Sequence, residues 1–482
     1  MCNSKYILQS IFYPINSRAC YLSSANHKHK GFMSFDVEGE FTSKPSARRR
    51  LHVRQMKIVY PTMTLMKFSH RTVISILANH TAVYLFIHTL NGVLKNLRYP
   101  PQEQLEEAVA LVKTLPSWRV EETISIPLDS LERKSLFKSG SMERLTKIIR
   151  SNRNITAVFV NTSSLKNITT SILQEQFGLS ILDRYKIIMQ ILKMHATSKS
   201  AKLQVALAEL YYIRRKSEKN LMFFTHNKES LKLMFQNREQ KLKSALAELR
   251  NQRTLLRSKR QKMEYPVVAV VGYTNAGKTC LIKALTGEES LQPRNQLFAT
   301  LDVTLHSGIL PSGLEVLYVD TVGFISDIPT NLIECFVATL EDAVLSDVIL
   351  HVEDLSSACF EYKRNHVLST LKDLGAQTGY ENIMEKVIHV GNKCDLVKDI
   401  HTLKDKSLDM MVSGKKEIGL EKLRSYLEDI VLKATSRQKI TIRVINGGDE
   451  IRWLYKNATV VHAIPDTDPQ YVKAKVIITQ SK

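Results

Sequence analysis

One short segment in the middle of the chain constrains its fold more than any other. Five apolar residues, Val267 to Val271, precede GYTNAGKT, Gly272 to Thr279, and CLIKAL, which suits a helix, follows. The pattern GxxxxGK(S/T) between a buried strand and a helix is what distinguishes a P-loop from a chance match. Its glycines let backbone N–H groups turn towards phosphate oxygens, and the positive end of the helix adds to the attraction. The segment predicts a phosphate-binding turn; a glycine-rich turn without a ligand is the alternative.

Side chains in and beyond this turn are predicted to hold phosphates and a magnesium ion. Lys278 is expected to bridge the β- and γ-phosphates, and the hydroxyl of Thr279 to bind Mg²⁺. EVLYVDTVGF predicts a second buried strand, which ends at Asp320. The Asp320 carboxylate would hold the ion through water, and the N–H of Gly323 would face the γ-phosphate. Thr300 lies between these motifs and is the candidate for a further Mg²⁺ ligand, from a loop that becomes ordered when the γ-phosphate is present.

A third motif predicts which base is bound. VIHVGNKCD ends a later strand with Asn392, Lys393 and Asp395, an NKxD motif. The Asp395 carboxylate could accept two hydrogen bonds from guanine, and adenine offers no such pair of donors. MVSGKK follows at a suitable distance for backbone groups of Ser413 to Lys416 to contact the guanine edge. Three motifs in this order predict GTP rather than ATP.

The residues predicted to contact the nucleotide come from all of these segments, and Lys278, Thr300 and Gly323 among them are the candidates for a catalytic role. The full set is Gly272, Tyr273, Thr274, Asn275, Ala276, Gly277, Lys278, Thr279, Cys280, Phe298, Ala299, Thr300, Asp320, Thr321, Val322, Gly323, Asn392, Lys393, Asp395, Ser413, Gly414 and Lys415.

Two further positions bear on catalysis and on ion binding. Phe324 follows Gly323 where Ras-like GTPases carry a glutamine that orients water. Because phenylalanine cannot hydrogen-bond to water, we expect slow intrinsic hydrolysis that a partner accelerates. Asn275 is of the type and at the position that some GTPases use to bind K⁺ beside the phosphates. The alternative is an asparagine that only shapes the turn.

Positive charge is concentrated in one part of the chain. The sequence has 68 Lys and Arg against 47 Asp and Glu, a net charge of +21. Such a charge favours a polyanionic partner, either nucleic acid or an anionic membrane face. A basic mitochondrial protein without such a partner is the alternative. Residues 193–262 alone contain 18 Lys and Arg against five Glu.

Leucines in this basic segment recur at helical spacing. They predict two amphipathic helices folded back on each other with a basic outer surface. A merely solvated helix face is the alternative, but the acids are too few for stabilising pairs along the helices. The pattern therefore favours contact with RNA phosphates. The leucines concerned are Leu203, Leu207 and Leu210 in the first helix, and Leu242, Leu246, Leu249 and Leu256 in the second.

The remaining patterns predict an α/β protein of several domains. Helical and strand-like segments alternate over residues 101–192, which predicts a small α/β domain ahead of the basic helical hairpin, 193–262. A P-loop domain with a mainly parallel sheet is expected over 266–434. The tail, 435–482, contains KITIRVI, IRWLY, ATVVHAI and YVKAKVIIT, which predict a small β-rich domain.

The N-terminal hundred residues give a prediction about targeting and none about fold. Residues 1–34 contain no Asp or Glu, six serines and spaced bases, which is typical of a mitochondrial transit peptide over 1–35. A disordered start is the alternative, and residues 36–100 have no assignable pattern. Polar residues interrupt the apolar run 73–90, so we do not expect a membrane span. The six cysteines form no CxxC pair, which predicts a reducing compartment.

Several of these segments resemble the HflX-type GTPases, and most closely their mitochondrial branch. They include GYTNAGKT, LIKALTG, QLFATLD, LYVDTVGF, LIECFVATLED, SDVILHVED, NKCD and LDRYKIIMQILKMHATSKSAKLQVALAEL. The resemblance covers roughly 101–482. It implies an N-terminal α/β domain, a helical hairpin, a G domain, and binding to the large ribosomal subunit and its rRNA near the peptidyl-transferase region. Subunit dissociation or large-subunit maturation would follow, here by a monomeric protein of the mitochondrial matrix.

One departure from the family leaves alternatives open. Family members usually carry a glycine-rich segment between the two helices, where this chain has FFTHNKESLKLMF. The mode of ribosome contact and the splitting activity are therefore open. An RNA-binding assembly factor whose G domain only senses the nucleotide is the second hypothesis. A regulator of membrane transport would require a lipid anchor or a span that the sequence does not supply.

Overall fold

The computed structural model describes residues 81–90 and 100–479, apart from 129, 131–132, 221–227, 263–264, 295, 327–339 and 399–406. The predicted transit peptide, 1–35, lies outside the described residues, as does most of the segment 36–100. None of the helices in the described ranges combines the length and the apolar character needed to cross a bilayer.

The N-terminal domain is a four-stranded parallel sheet with helices. Its strand order is β2-β1-β3-β4. The elements are β1 (Thr81–Leu90), α1 (Pro101–Thr114), β2 (Trp118–Leu128), α2 (Ser139–Ser151), β3 (Ile155–Val160), α3 (Asn167–Phe177), β4 (Ser180–Asp183) and α4 (Arg184–His195).

The sheet of this domain includes a strand ahead of the predicted domain start at residue 101. Strand β1 pairs with β2 on one side and with β3 on the other, so the sheet cannot form without residues 81–90. Within the apolar run 73–90, these ten residues are a central strand. Its sequence, TAVYLFIHTL, shows no regular alternation of polar and apolar residues, so periodicity did not predict the strand.

Helices α1 and α4 fix the edge of this domain that meets the rest of the chain. Ala108, Leu111 and Val112 of α1 are fully buried and belong to the same core cluster as the apolar face of α4. Helix α4 begins directly after Asp183, whose Oδ1 accepts a hydrogen bond from the backbone N–H of Lys186 at 2.9 Å. This N-cap sets the direction in which α4 leaves the sheet.

The basic segment forms the two predicted helices, α5 (Lys199–Asn220) and α6 (Lys228–Lys262), which pack against each other. Leu207 and Leu242 are buried, as the leucine spacing predicted. Arg250 and Arg257 of α6 form ion pairs with Glu341 and Asp342, respectively, so α6 is attached to the next domain. Part of the positive charge of the hairpin is therefore neutralised by ion pairs within the molecule.

The P-loop domain has a six-stranded sheet with the order β10-β9-β8-β5-β7-β6. All neighbouring strands are parallel except β6, which is antiparallel to β7. The elements are β5 (Val267–Gly272), α7 (Lys278–Thr286), β6 (Thr304–Ile309), β7 (Glu315–Asp320), β8 (Val348–Asp354), α8 (Phe360–Thr378), β9 (Val387–Asn392), β10 (Met410–Met411) and α9 (Leu420–Ala434). Because the parallel strands share one orientation, the ends of β5, β7 and β9 bring the three predicted motifs to one edge.

The C-terminal part is an antiparallel sheet, β11-β13-β12, covered by one helix. Its elements are β11 (Arg437–Ile445), α10 (Asp449–Asn457), β12 (Thr459–Pro465) and β13 (Tyr471–Thr479). The β-rich prediction is confirmed, but the assignment of IRWLY to a strand is wrong, because those residues lie in α10. Two acids in the first turn favour the helix, and Ile451 and Leu454 face the sheet at the helical spacing of three.

We expect Leu454→Ala to lower the free energy of unfolding of the C-terminal sheet by about 2–5 kcal/mol, since this buried side chain fills the space between α10 and the strands. Tyr455→Ala is the matched control, because 63% of Tyr455 is exposed, and should change stability by only about 0.5 kcal/mol. Amide hydrogen exchange of the three strands measures the stability change in both variants. Equal losses for the two variants would contradict the helix.

Candidate functional site

The turn between β5 and α7 holds a lysine whose ammonium group is almost completely buried. Lys278 is 7% exposed, and its Nζ donates to the carbonyl oxygens of Gly272 at 3.2 Å and Tyr273 at 3.1 Å. Burial lowers the pKa of Lys278 to about 8, against the opposing effect of the negative charge on Asp320. An ammonium group at this depth favours an anionic ligand, because a buried charge is costly unless it is paired.

The three side chains predicted to bind Mg²⁺ meet beside this lysine. The hydroxyl of Thr279 donates to Asp320 Oδ2 at 2.6 Å, and that of Thr300 does so at 3.1 Å. The two hydroxyl oxygens are 3.1 Å apart. Residues that lie far apart in the sequence are therefore brought within hydrogen-bond distance of one another.

The arrangement of these oxygens fits a hard divalent cation. Asp320 is 2% exposed, and its Oδ1 has no hydrogen-bond partner among the described residues. Burial raises the pKa of this carboxyl, although hydrogen bonds from both threonines and the charge of Lys278 oppose the shift. A buried carboxylate oxygen without a partner, next to two hydroxyl oxygens, is a donor set that Mg²⁺ prefers.

Asn392 connects the phosphate-binding turn to the segment predicted to contact the base. Its Nδ2 donates to the carbonyl oxygen of Ala276 at 2.9 Å, and its Oδ1 accepts from the N–H of Gly414 at 3.0 Å. Gly277 has a φ of 93°, and a Cβ on this residue would lie 2.3 Å from Asn392 Nδ2. The close approach of Asn392 therefore requires glycine at this position.

Most of the predicted residues line one cleft of about 960 Å³. Its lining includes residues of the phosphate-binding turn, Thr300 and Gly323, together with Lys393, Asp395 and the turn from Ser413 to Lys415. Asp320 does not line the cleft itself but accepts hydrogen bonds from Thr279 and Thr300, which do. The ammonium group of Lys393 forms an ion pair with Asp354 at 2.7 Å, which holds the NKxD segment against the end of β8. The cleft thus combines groups suited to phosphates with groups suited to a base.

Some side chains predicted to contact the nucleotide point elsewhere. Thr321 is fully buried, and its hydroxyl donates to the carbonyl oxygen of Val270 at 2.8 Å. Val322 is part of the apolar core, and the ring of Tyr273 leaves the turn towards the N-terminal domain. These residues shape the turn through their backbone and do not line the cleft with their side chains.

Phe324 packs into the core beneath the turn. Its backbone N–H donates to the carbonyl oxygen of Gly272 at 3.1 Å, and its own carbonyl oxygen accepts from Thr274 N–H at 2.6 Å. The side chain is buried in the same cluster as Val322. The two backbone hydrogen bonds hold the Gly323 segment next to the turn, and the aromatic ring itself has no atom that could hydrogen-bond to a water molecule.

The loop that carries Thr300 is attached to the start of the basic hairpin, a connection that the sequence did not reveal. Asp302 accepts hydrogen bonds from Thr197 Oγ1 at 2.9 Å, from Ser198 N–H at 3.1 Å and from the Ser198 hydroxyl. His195 Nδ1 lies 2.6 Å from the carbonyl oxygen of Phe298. The segment HATS, His195 to Ser198, directly precedes α5 and looks like an ordinary N-cap sequence. The local pattern therefore gave no sign that Thr197 and Ser198 also donate hydrogen bonds to Asp302.

A second group missed by the sequence lies where the N-terminal domain meets the P-loop domain. Glu107 of α1, Arg184 of α4, Tyr273 and Ser326 share a buried hydrogen-bond network. The only signal in the sequence was a pair of charged residues within otherwise buried helix faces. Such residues are rarely buried unless they are paired, but the sequence does not name the partner.

We expect Gly277→Ala to weaken nucleotide binding at least about tenfold, since the methyl group would displace Asn392 from Ala276 and strain the backbone. Gly178→Ala is the matched control: this glycine, at the end of α3, also has a left-handed φ, 72°, but nothing lies within 4 Å of an added Cβ, and it does not line the cleft. It should cost about 1 kcal/mol of stability and leave nucleotide affinity unchanged. Calorimetric titration and thermal unfolding measure the two effects, and equal losses of affinity would contradict the contact.

Comparisons with known proteins find relatives of this chain. The family model described as 50S ribosome-binding GTPase matches residues 267–393, and the one described as GTP-binding GTPase N-terminal matches 102–192. "Putative GTP-binding protein 6" of Xenopus laevis is 40% identical over 394 residues, covering 78% of this chain and 73% of that protein. GTPase HflX of Caldanaerobacter subterraneus is 37% identical over 309 residues, covering 61% of this chain and 70% of that protein.

Among solved structures, a GTP-binding protein from Sulfolobus solfataricus in complex with GDP is 23% identical, with a TM-score of 0.39, and the match covers 73% of this chain and 99% of that one. The two curated relatives match at 37% identity or more over at least 70% of their own length. Their similarity, together with the matched domains and the P-loop site, shows that this chain belongs to the HflX family of GTPases.

Proposed function

We propose that this GTPase acts as a nucleotide-dependent switch on the large ribosomal subunit of mitochondria, in subunit dissociation and recycling and in large-subunit biogenesis. The observation that carries the proposal is the attachment of the Thr300 loop to the start of the basic hairpin through Asp302. A loop that responds to the γ-phosphate would thereby move the surface that binds RNA. The name of the matching family model, 50S ribosome-binding GTPase, supports the same partner.

The site would hold GTP and Mg²⁺ with the residues that the structure brings together. Thr279, Thr300 and Asp320 would hold the ion, whose positive charge neutralises charge on the phosphate oxygens. Lys278 would contact the β- and γ-phosphates, and Asp395 would accept hydrogen bonds from guanine. The geometry supports these roles, because Lys278, the two threonines and Asp395 line one cleft, and Asp320 accepts hydrogen bonds from both threonines.

Hydrolysis by these residues alone would be slow. Lys278 and the N–H of Gly323 would stabilise negative charge as the terminal phosphoryl group leaves, as in other P-loop enzymes. The attacking water needs a group that orients it, and Phe324 is buried and has no polar atom in its side chain. We therefore assign the acceleration to the ribosome, so that hydrolysis follows binding and releases the protein.

The hairpin offers a surface for rRNA phosphates. Several of its bases are exposed, and they lie on both helices: Lys199, Lys202, Arg215, Lys232, Arg238 and Lys241. Phosphate contacts of this kind make affinity fall steeply with salt concentration. The exposed Leu233 and Met234 lie beside Arg238 near the start of α6, within FFTHNKESLKLMF, the segment that replaces the glycine-rich loop of the family.

Three further assignments belong to the proposal. The protein acts in the mitochondrial matrix, in keeping with the predicted transit peptide, and it acts as a monomer. The role of Asn275 in K⁺ binding stays a prediction, because its φ of 62° already accounts for an asparagine at this turn.

The second candidate is an RNA-binding assembly factor whose G domain senses the nucleotide without splitting ribosomes. It is favoured by FFTHNKESLKLMF, which stands where the family usually has a glycine-rich segment. Residues 221–227 of this connection lie outside the described residues. The two candidates differ in what happens to an intact mitochondrial ribosome.

We expect the full chain with a non-hydrolysable GTP analogue to convert mitochondrial monosomes into free subunits, measured by sedimentation. Co-sedimentation with large-subunit precursors while monosomes stay intact would favour the assembly factor. Crosslinks from the hairpin only to messenger or transfer RNA would contradict the ribosomal assignment.

The triple variant Lys232→Ala, Arg238→Ala, Lys241→Ala should bind the large subunit with a weaker salt dependence, its logarithmic slope smaller by about 2–3. The control removes the same charge from exposed sites on other helices, Lys372→Ala, Lys422→Ala and Lys433→Ala, and should leave the slope unchanged. A control that loses as much as the hairpin variant would reject a specific RNA surface.

We expect nucleotide binding to take up protons near pH 8. The pKa of Lys278 is lowered to about 8 in the free protein, and phosphate oxygens against its ammonium group would raise it again. Below the lowered pKa the lysine is already charged, so nucleotide binding takes up no proton. Between the pKa of the free protein and the higher pKa of the complex, GDP affinity should fall by up to tenfold for each unit by which the pH rises. Calorimetry in buffers with different ionisation enthalpies measures the uptake, and none near pH 8 would contradict the assigned contact.

A further inference from the structure

Four polar side chains are buried together where the N-terminal domain contacts the P-loop domain. Glu107 is 9% exposed, Arg184 2%, Tyr273 6% and Ser326 1%. Two come from helices of the N-terminal domain, one from the phosphate-binding turn, and one from the segment that follows Gly323. None of them lines the nucleotide cleft, so the site described above assigns their side chains no role in binding the nucleotide.

Glu107 lies at the centre of this group. Its Oε2 accepts a hydrogen bond from the Tyr273 hydroxyl at 2.5 Å, and its Oε1 accepts from the Ser326 hydroxyl at 3.0 Å and from Arg184. Arg184 also donates to Asn161 Oδ1 at 3.1 Å and to the carbonyl oxygen of Ser326 at 3.1 Å. One carboxylate of the N-terminal domain thus contacts both the phosphate-binding turn and the segment after Gly323.

These contacts lie directly behind the atoms that face the phosphates. The carbonyl oxygen of Tyr273 accepts from Lys278 Nζ at 3.1 Å, and the Tyr273 hydroxyl accepts from the N–H of Ser326 at 2.7 Å. Gly323 lies three residues before Ser326, and a Cβ on it would be 3.1 Å from Lys278 Nζ. A shift of Ser326 would therefore move Gly323 relative to the lysine.

We propose that Glu107 and Arg184 are positioning residues for GTP hydrolysis, which hold Tyr273 and Ser326 so that the N–H of Gly323 meets the γ-phosphate. The proposal rests on the proposed role of Gly323. The N-terminal domain is then part of the hydrolytic machinery without contacting the nucleotide. GDP has no γ-phosphate and needs no such alignment, so the network acts on hydrolysis and on GTP, and GDP binding is independent of it.

The variant Glu107→Gln tests this assignment. A carboxamide has the same shape but only one acceptor oxygen, so Tyr273 and Ser326 can no longer both donate to it, and Arg184 loses its counter-charge. We expect kcat for GTP hydrolysis to fall by about ten- to a hundredfold, as for other small misplacements, and GDP Kd to stay within about twofold. Glu106→Gln, an exposed neighbour on the same helix, is the matched control and should leave both unchanged.

A double-variant cycle separates positioning from general stability. Ser326→Ala removes one hydrogen-bond donor from the network and should lower kcat a few-fold. Because the Ser326 hydroxyl acts through Glu107, kcat of the double variant Glu107→Gln, Ser326→Ala should be no lower than kcat of Glu107→Gln alone. Additive losses, or equal losses in GDP and GTP affinity together with Tm, would overturn the proposal.

Two further measurements distinguish failure of this proposal from a folding defect and from failure of the proposed function. If Glu107→Gln does not fold, Ser326→Ala decides: a lower kcat at unchanged GDP Kd supports the proposal, and an unchanged kcat overturns it. Failure of the parent chain to bind GTP analogues would instead reject the proposed function of Gly323 and the cleft. Glu107→Asp keeps the charge but withdraws it by one methylene, and it should recover part of the lost kcat.

Discussion

The buried ammonium group of Lys278 is the constraint on which the rest of the structure depends. Removing such a group from water is costly, and here two backbone carbonyls compensate only in part, as its lowered pKa shows. Asp320 is buried close by with one carboxylate oxygen that has no partner among the described residues. A cation and an anion, both desolvated, are thus held ready for a ligand that supplies the opposite charges, which is what a nucleoside triphosphate with a divalent ion provides.

The elements around the cleft keep these charges in place and connect them to other domains. Asn392 ties the phosphate-binding turn to the segment at the base end. Asp302 ties the Thr300 loop to the start of the hairpin, and Glu107 ties the turn to the N-terminal domain. Each of these connections uses a single polar side chain with several partners, so few atoms link the cleft to the other domains.

Much of the fold could be predicted from sequence, because its elements have strong local patterns. The strand, turn and helix around GYTNAGKT, the alternating elements of 101–192 and the leucine spacing of the hairpin all reflect periodic burial. Strand β1 and helix α10 could not be recognised in the same way. Strand β1 pairs on both sides and has no polar–apolar alternation to mark it. In α10, a run of aromatic and β-branched residues favoured a strand more than the two acids at its start favoured a helix.

The sequence by itself determined the chemistry of the site: a lysine and a threonine after a glycine turn, an aspartate at the end of a strand, and an NKxD motif. These are local signals, since the spacing within each motif is fixed by the turn or strand that carries it. Only the tertiary structure decided that Tyr273 points away from the cleft, that Thr321 and Val322 are buried, and that Glu107, Arg184 and Asp302 support the nucleotide loops. The physical reason is that a buried polar side chain bonds to whichever group the fold places within hydrogen-bond distance. The residues next to it in the sequence do not indicate which distant residue that will be.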